Sequence, residues 1–366
     1  NLGIGNLIAL PLQAGSLREG NSTFLNTETL AIIPDQWAHL CLIEKLPTEK
    51  LDKLFDEVSA GISNPINNTK ETEELSIVIR NKIYLKKNKL TPELVNFLRE
   101  NLNFANTEYI IKKKIGLSTY QTEKYFKLIE ETDEHVLIPR GFQDKLITFC
   151  QENKINFFIK DERLKLTSVK FTSKIKLYDH QLKTMEDIGN KENGVIIAPS
   201  GSGKTVIGLE LIAKHEQPAL VLVHRKQLAD QWVERIESFL GIPKAKIGQL
   251  SGRKKKIGDK VTIAMIQSLV RLNEDEINGL TNKFGLIIVD ECHHLPAKTF
   301  RDIISKFNSY YLYGLTATPK RKYNDEKLIY HYLGDVIATI DQNYQNEILT
   351  QKALTTVNIC NTQLSV

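Results

Sequence analysis

One stretch constrains the fold more than any other: Gly194-Val-Ile-Ile-Ala-Pro-Ser-Gly-Ser-Gly-Lys-Thr-Val206. An apolar run enters a turn rich in glycine and serine and leaves it as a helix beginning at Lys204, the order that a phosphate-binding loop requires. Gly201 and Gly203 let backbone N–H groups turn inward around an anion, and the start of the helix adds the positive end of its dipole. In that reading Pro199, Ser200, Gly201, Ser202, Gly203, Lys204 and Thr205 bind ATP. Lys204 reaches the β- and γ-phosphates, and the Thr205 hydroxyl ligates Mg²⁺. Ala198 stands where the common pattern has its first glycine.

Two further segments follow in the order the chemistry needs. Leu286-Ile-Ile-Val-Asp290-Glu291 is an apolar strand ending in two acids, and strand ends in parallel sheets face the ligand crevice. Asp290 is placed to hold Mg²⁺ and Glu291 to orient and deprotonate a water, so Lys204, Asp290 and Glu291 form the expected catalytic set. Gly314-Leu-Thr316-Ala-Thr318-Pro then offers two hydroxyls after another apolar strand. Thr316 and Thr318, with His293, are read as coupling residues that relay the nucleotide state. Cys292, His293 and His294 lack the spacing of a zinc site.

From Tyr178 to about Leu315 short apolar strands alternate with helical segments, which implies a parallel sheet covered on both faces. The expected fold class is α/β: a RecA-like parallel sheet flanked by helices, preceded by a small mixed α/β domain. Strands are expected over Ser76–Tyr84, His135–Ile138 and Ile155–Lys160, and helices over Pro92–Asn101, Gln121–Glu130 and Phe142–Glu152. The domain boundaries read as 1–60, a linker over 61–74, the small domain over 75–165, a basic connector over 166–176, the nucleotide lobe over 177–335, and the start of a second lobe over 336–366. The connector region carries Lys165, Lys170, Lys174 and Lys176 without an acid after Leu164, and can touch phosphates or lie solvated.

Composition adds little beyond this. The chain has 366 residues and a formal charge of +5 from 49 basic and 44 acidic side chains, a balance compatible with a polyanionic partner. Its four cysteines form no Cys-x-x-Cys pair, which suggests neither a disulfide framework nor a zinc ribbon. No apolar run approaches the roughly 20 residues needed to span a bilayer. A cytoplasmic location is expected, or a nuclear one in a eukaryotic cell.

The three segments, Ala-x-x-Gly-x-Gly-Lys-Thr, Asp290-Glu-Cys-His293 and Thr316-Ala-Thr318, resemble motifs I, II and III of the DExH-type superfamily 2 helicases. Within Tyr178-Asp-His-Gln181, Gln181 resembles the glutamine that reads adenine in that family. Val223-His-Arg225-Lys226-Gln-Leu-Ala-Asp-Gln-Trp232 resembles the motif along the nucleic-acid track, and Ile263-Ala-Met-Ile-Gln267 the next strand-end motif. Arg225, Lys226 and Gln267 are therefore the expected nucleic-acid contacts. Many relatives carry Thr where this chain has Met265, so one phosphate contact of the family is not carried over. The basic runs Arg253–Lys256 and Lys320–Lys322 are further candidates, each equally readable as solvated surface.

The subgroup this most resembles contains the excision-repair helicase and phage recombination helicases, which place a small DNA-engaging domain before the first motor lobe. Residues 75–165, with Val136-Leu-Ile-Pro-Arg140-Gly-Phe and Ile159-Lys-Asp161-Glu-Arg163, are similar to that domain. Residues 1–40, with Gly3-Ile-Gly-Asn-Leu-Ile-Ala-Leu-Pro-Leu-Gln13, Gly20-Asn-Ser-Thr-Phe24 and Asp35-Gln-Trp37, resemble the end of the primase-like domain of TOTE conflict system primase-helicases.

The resemblance implies an ATP-dependent helicase or translocase that uses ATP and Mg²⁺ and acts on nucleic acid, with DNA as the expected form and no membrane partner. Such enzymes close ATP between two RecA-like lobes. The chain is expected to be a fragment that lacks the second lobe and hydrolyses ATP slowly by itself, with nuclease or primase modules possible in the full protein. A restriction-type translocase subunit and an ATP-controlled DNA clamp without unwinding are the alternatives.

Overall fold

The computed structural model describes Ala38 and residues 74–120, 122–252, 254–318 and 325–340. Apart from Ala38, the primase-like segment at 1–60 lies outside this set, as do most of the 61–74 linker, Arg253, the 320–322 run and residues 341–366. The chain divides into units at 1–71 and 72–366, and the description below concerns the second.

Its amino-terminal part contains β1 (Leu75–Ile79), β2 (Lys82–Lys86), α1 (Pro92–Leu102), β3 (Asn103–Ala105), α2 (Thr107–Lys114), β4 (Tyr125–Lys127), β5 (Glu130–Glu131), β6 (His135–Pro139), α3 (Gln143–Glu152) and β7 (Phe157–Asp161). The main sheet runs β5-β6-β2-β1-β7, with β1 and β7 parallel and its other neighbours antiparallel. α1 starts where Thr91 Oγ1 accepts the Leu94 N–H and Pro92 pre-sets the first turn, and it buries Leu94, Leu98 and Leu102. Two expectations fail here. The single strand over 76–84 is a hairpin that turns at Arg80-Asn81, because both arms bury alternate residues against one core. The helix over Gln121–Glu130 is absent, and Tyr125–Lys127 is a strand paired with β3 that buries only Phe126 of its three residues.

The second part contains α4 (Asp179–Ile188), β8 (Asn193–Ile197), α5 (Lys204–His215), β9 (Ala219–Val223), α6 (Lys226–Leu240), β10 (Gly248–Ser251), β11 (Lys254–Lys256), β12 (Val261–Met265), α7 (Ile266–Val270), α8 (Glu274–Thr281), β13 (Leu286–Asp290), α9 (Lys298–Ile304), β14 (Tyr311–Thr316), α10 (Lys327–Leu333) and β15 (Val336–Thr339). Among the described residues the sheet order is β11-β10-β12-β9-β13-β14-β8-β15, parallel except for β11. Separate apolar clusters cover its two faces. The strands β9 and β13 are buried along their full length, which explains their unbroken apolar sequences.

Val336–Thr339, read from sequence as part of a second lobe, is instead the edge strand of this sheet, paired with β8. Gly334 ends α10 at φ +99°, and the Asp335 carbonyl then accepts the Val195 N–H. The 166–176 segment is a belt on the lobe rather than a free connector. Leu166 exchanges hydrogen bonds with the Gln217 amide, and Phe171 and Ile175 pack on the core.

The two parts share a polar seam. Buried Arg140 donates to the Ser309 carbonyl, Arg163 bridges Asp161 to Glu192, and Asn308 donates to the Glu162 carbonyl. Leu328 of α10 completes the apolar core of the small domain.

Candidate active site

The carboxyl ends of β8 and β13 open on a cavity of about 750 Å³. That volume lies within the range of small-molecule sites. Residues 200–206, Gln181, Asp290 and Glu291 line it, and so do Lys176, Tyr178, His180, Arg235 and Phe239. The loop after β8 needs its glycines: φ is +86° at Gly201 and +90° at Gly203, and a Cβ on Gly203 would come within 2.3 Å of Gln181 Nε2. Ala198 is fully buried and donates its N–H to the Thr316 carbonyl, so the missing first glycine leaves the strand end intact.

Lys204 opens α5, and its Nζ lies 3.5 Å from Glu291 Oε1. Thr205 is half-buried beside it. Glu291 takes the left-handed conformation at φ +51°, uncommon outside glycine, which turns it away from the strand line of Asp290. His293, 3.3 Å from Glu291 Oε2, and then Lys204 hold that carboxyl below the usual glutamate range against the opposing effect of burial.

Asp290, 4% exposed, behaves in the opposite way. Burial raises its carboxyl above the ordinary range despite a 2.8 Å hydrogen bond donated to Oδ2 by Trp232 Nε1. A desolvated acid that lines the same cavity as Thr205 suits a hard dication, which would favour its ionised form.

Trp232, which ends the segment that resembles the nucleic-acid-track motif, is buried, fixes Asp290 and packs over Gly208, where a Cβ would meet Trp232 Cη2 at 2.7 Å. The available signal was that a buried indole N–H demands an acceptor.

Gln181 is buried with both ends of its amide engaged. Nε2 donates to the Ser202 carbonyl at 3.1 Å and Oε1 accepts the Tyr178 N–H, so it braces the loop from behind. Tyr178, largely exposed and stacked on His180, offers the flat face at the cavity mouth that the sequence reading did not assign.

On the other side His293 Nδ1 lies 3.3 Å from Thr316 Oγ1, which donates to the Thr318 carbonyl and accepts the Thr318 N–H. Glu291, His293, Thr316 and Thr318 thus form one continuous chain of contacts. Pro199 is buried and Ser200 exposed at the loop's tip. Arg225, Lys226 and Gln267 sit apart from the cavity, exposed at the ends of the paired strands β9 and β12. Gln267 is tied to the His224 carbonyl. Among the described residues no cluster of His, Cys, Asp and Glu forms a preset metal cage, and no helix is long and apolar enough to cross a membrane.

An eight-stranded, mostly parallel sheet with this loop and acid pair at its carboxyl edge defines the class by fold: a RecA-like α/β lobe. Residues 174–321 match the family described as type III restriction enzyme, res subunit, and residues 1–54 the archaeo-eukaryotic primase domain of the TOTE conflict system.

The chain is similar to a DNA 3'-5' translocase, XPB2, of Sulfurisphaera tokodaii, at 32% identity over 45% of this chain and 36% of the relative. It is also similar to a protein of Acanthamoeba polyphaga mimivirus named as an ATP-dependent RNA helicase, at 28% identity over 69% of this chain and 49% of the relative. The chain spans about half, or less, of the length of these relatives. In fold it resembles the UvsW helicase of bacteriophage T4, with a TM-score of 0.55 and 16% identity over 73% of this chain and all of that one.

Proposed function

We propose that this chain binds ATP·Mg²⁺ at the 198–205 loop and provides the first motor lobe of an ATP-driven translocase or helicase that works on nucleic acid, DNA in the first instance. The carrying observation is the Lys204–Glu291 pair, held 3.5 Å apart across the cradle with Asp290 buried behind it. A γ-phosphate entering the loop replaces Glu291 as the partner of Lys204. Glu291, kept ionised by His293, is then free to accept a proton from a water. Thr205 and Asp290 are the residues that would hold Mg²⁺, which when bound withdraws charge from the phosphate oxygens.

The chain of contacts from Glu291 through His293 to Thr316 and Thr318 supports a role in relaying the nucleotide state. Arg225, Lys226 and Gln267, exposed at neighbouring strand ends, are suited to contact backbone phosphates without reading sequence.

Titration with a fluorescent ATP analogue and a phosphate-release assay test the assignment. Glu291→Gln is expected to bind nucleotide as the wild type does and to release phosphate at least about a hundredfold more slowly. A Glu291→Gln variant that turns over normally removes Glu291 from the chemistry. The match to a restriction subunit favours a second reading, in which the same lobe feeds a nuclease carried elsewhere. A clamp would bind ATP and nucleic acid yet release little phosphate.

A further inference from the structure

Between β3 and β4 the chain leaves the small domain as an arm, α2 followed by a loop, and returns to pair Asn103 with Lys127 and Ala105 with Tyr125. α2 buries none of its residues. Ile110, Ile111, Ile115 and Leu117 are exposed, as are Tyr120 at 82% and Tyr125 at 42%. The arm is nevertheless built rather than loose. Buried Asn106 donates to the Glu123 carbonyl at 2.7 Å and accepts the Glu108 N–H, and Lys112 Nζ reaches Thr122 Oγ1 at 3.2 Å. Its base is pinned to the motor lobe, where Arg301 of α9 pairs with Glu123 and lies over the Phe126 ring. α9 follows closely on the loop that carries Glu291 and His293.

Charge indicates what the arm meets. Both of its acids are already engaged, Glu108 by Lys112 and Glu123 by Arg301. Lys113, Lys114, Lys124 and Lys127 are exposed and make no ion pair among the described residues, and Lys124 Nζ sits 5.2 Å from the centre of the Tyr125 ring. Exposed rings interleaved with uncompensated lysines are the two elements of a single-strand site: bases stack on the rings and phosphates take the cations. An apolar protein partner would meet these lysines at the cost of their desolvation.

Resting on the reading that the chain acts on nucleic acid, we propose that the 107–127 arm is a contact site for single-stranded nucleic acid. In it Tyr120 and Tyr125 stack on bases, and Lys113, Lys114 and Lys124 hold the backbone. Through Arg301 the arm has a fixed position on the lobe that binds ATP.

The test is fluorescence anisotropy on the full chain with a labelled oligo-dT and a blunt duplex at several salt concentrations. Tyr120→Ala/Tyr125→Ala is expected to weaken oligo-dT binding at least about tenfold and duplex binding little. Lys113→Gln/Lys114→Gln/Lys124→Gln is expected to weaken oligo-dT binding and to flatten its log–log salt slope by about 2. Unchanged affinity for the fluorescent ATP analogue shows that both variants are folded. The proposal is overturned if both bind oligo-dT as the wild type does, or if the tyrosine variant loses strand and duplex equally. It is also overturned if only Ile115→Ser/Leu117→Ser has an effect and that effect is to change the oligomeric state. Arm variants that bind normally while Arg225→Ala binds weakly would sink the arm alone. A wild-type chain that binds neither probe, with or without nucleotide, would sink the functional reading beneath it.

Discussion

The carboxyl edge of the large sheet and the seam between the two parts both bring charged groups together, and they treat them in opposite ways. At the carboxyl edge Lys204 and Glu291 are 3.5 Å apart and partly exposed, a pairing that the proposed phosphate would displace. At the seam the Arg163 side chain, 3% exposed, is held by two carboxylates, and Arg140 is enclosed with one hydrogen bond and two nitrogens without partners among the described residues. Burial pushes the Arg140 guanidinium down to about 9, with Arg163 adding to the effect. His331 of α10, whose ring nitrogens have no hydrogen-bond partner among the described residues, is enclosed against Phe104 and Phe142, and burial pushes it down to about 4. The difference teaches that a loose ion pair marks a place prepared for a ligand, whereas locked or orphaned buried charge marks a joint between elements.

The comparison breaks first if Lys204→Ala still binds nucleotide. Removing the cation from the cradle is expected to weaken the fluorescent ATP analogue by about a thousandfold or more, with little change in thermal stability. At the seam the expected signs reverse. Arg163→Ala removes the cation between Asp161 and Glu192, each about a third exposed, and should cost about 1.5–3 kcal/mol in urea unfolding, with intact nucleotide affinity in the folded protein.

His331 sharpens the point through pH. Its folded pKa lies below the ordinary 6.5, so the unfolded chain takes up the proton first, and stability present above about pH 6.5 is lost as the pH falls toward 4. The loss is about 3 kcal/mol for this group. His215, half-buried and pushed down to about 4 by desolvation, acts in the same direction. Urea midpoints at pH 7 and pH 5 should differ less in His331→Leu than in the wild type. The smallest effect is expected from Trp232→Phe, which keeps an aromatic ring in the core but removes the hydrogen bond to Asp290 and the Cη2 end of the indole over Gly208. Stability should fall by about 1–2 kcal/mol, and Mg²⁺-dependent nucleotide affinity should weaken severalfold.

The elements of the RecA-like lobe were legible because they are periodic or contiguous: β9 and β13 are unbroken apolar runs, and the 198–205 loop carries glycines at the two positions that need positive φ. Tyr125–Lys127 was not legible, since a short strand that alternates around Phe126 looks like part of a helix until β3 is there to pair with it. Nor was the edge strand β15, because a strand's sheet is decided by the partner that takes its hydrogen bonds, here β8, a long way off in sequence.

Local sequence was enough for the order of loop, acid pair and threonines, since phosphate cradling and acid placement at a strand end depend on a few consecutive residues. Tertiary structure alone decided that Trp232 stands behind Asp290, that Gln181 is spent on Ser202, and that Arg301 ties an exposed arm to the helix beyond the acid pair. Each is a contact between distant segments, and hydrogen bonds across such separations leave no periodic trace in either partner.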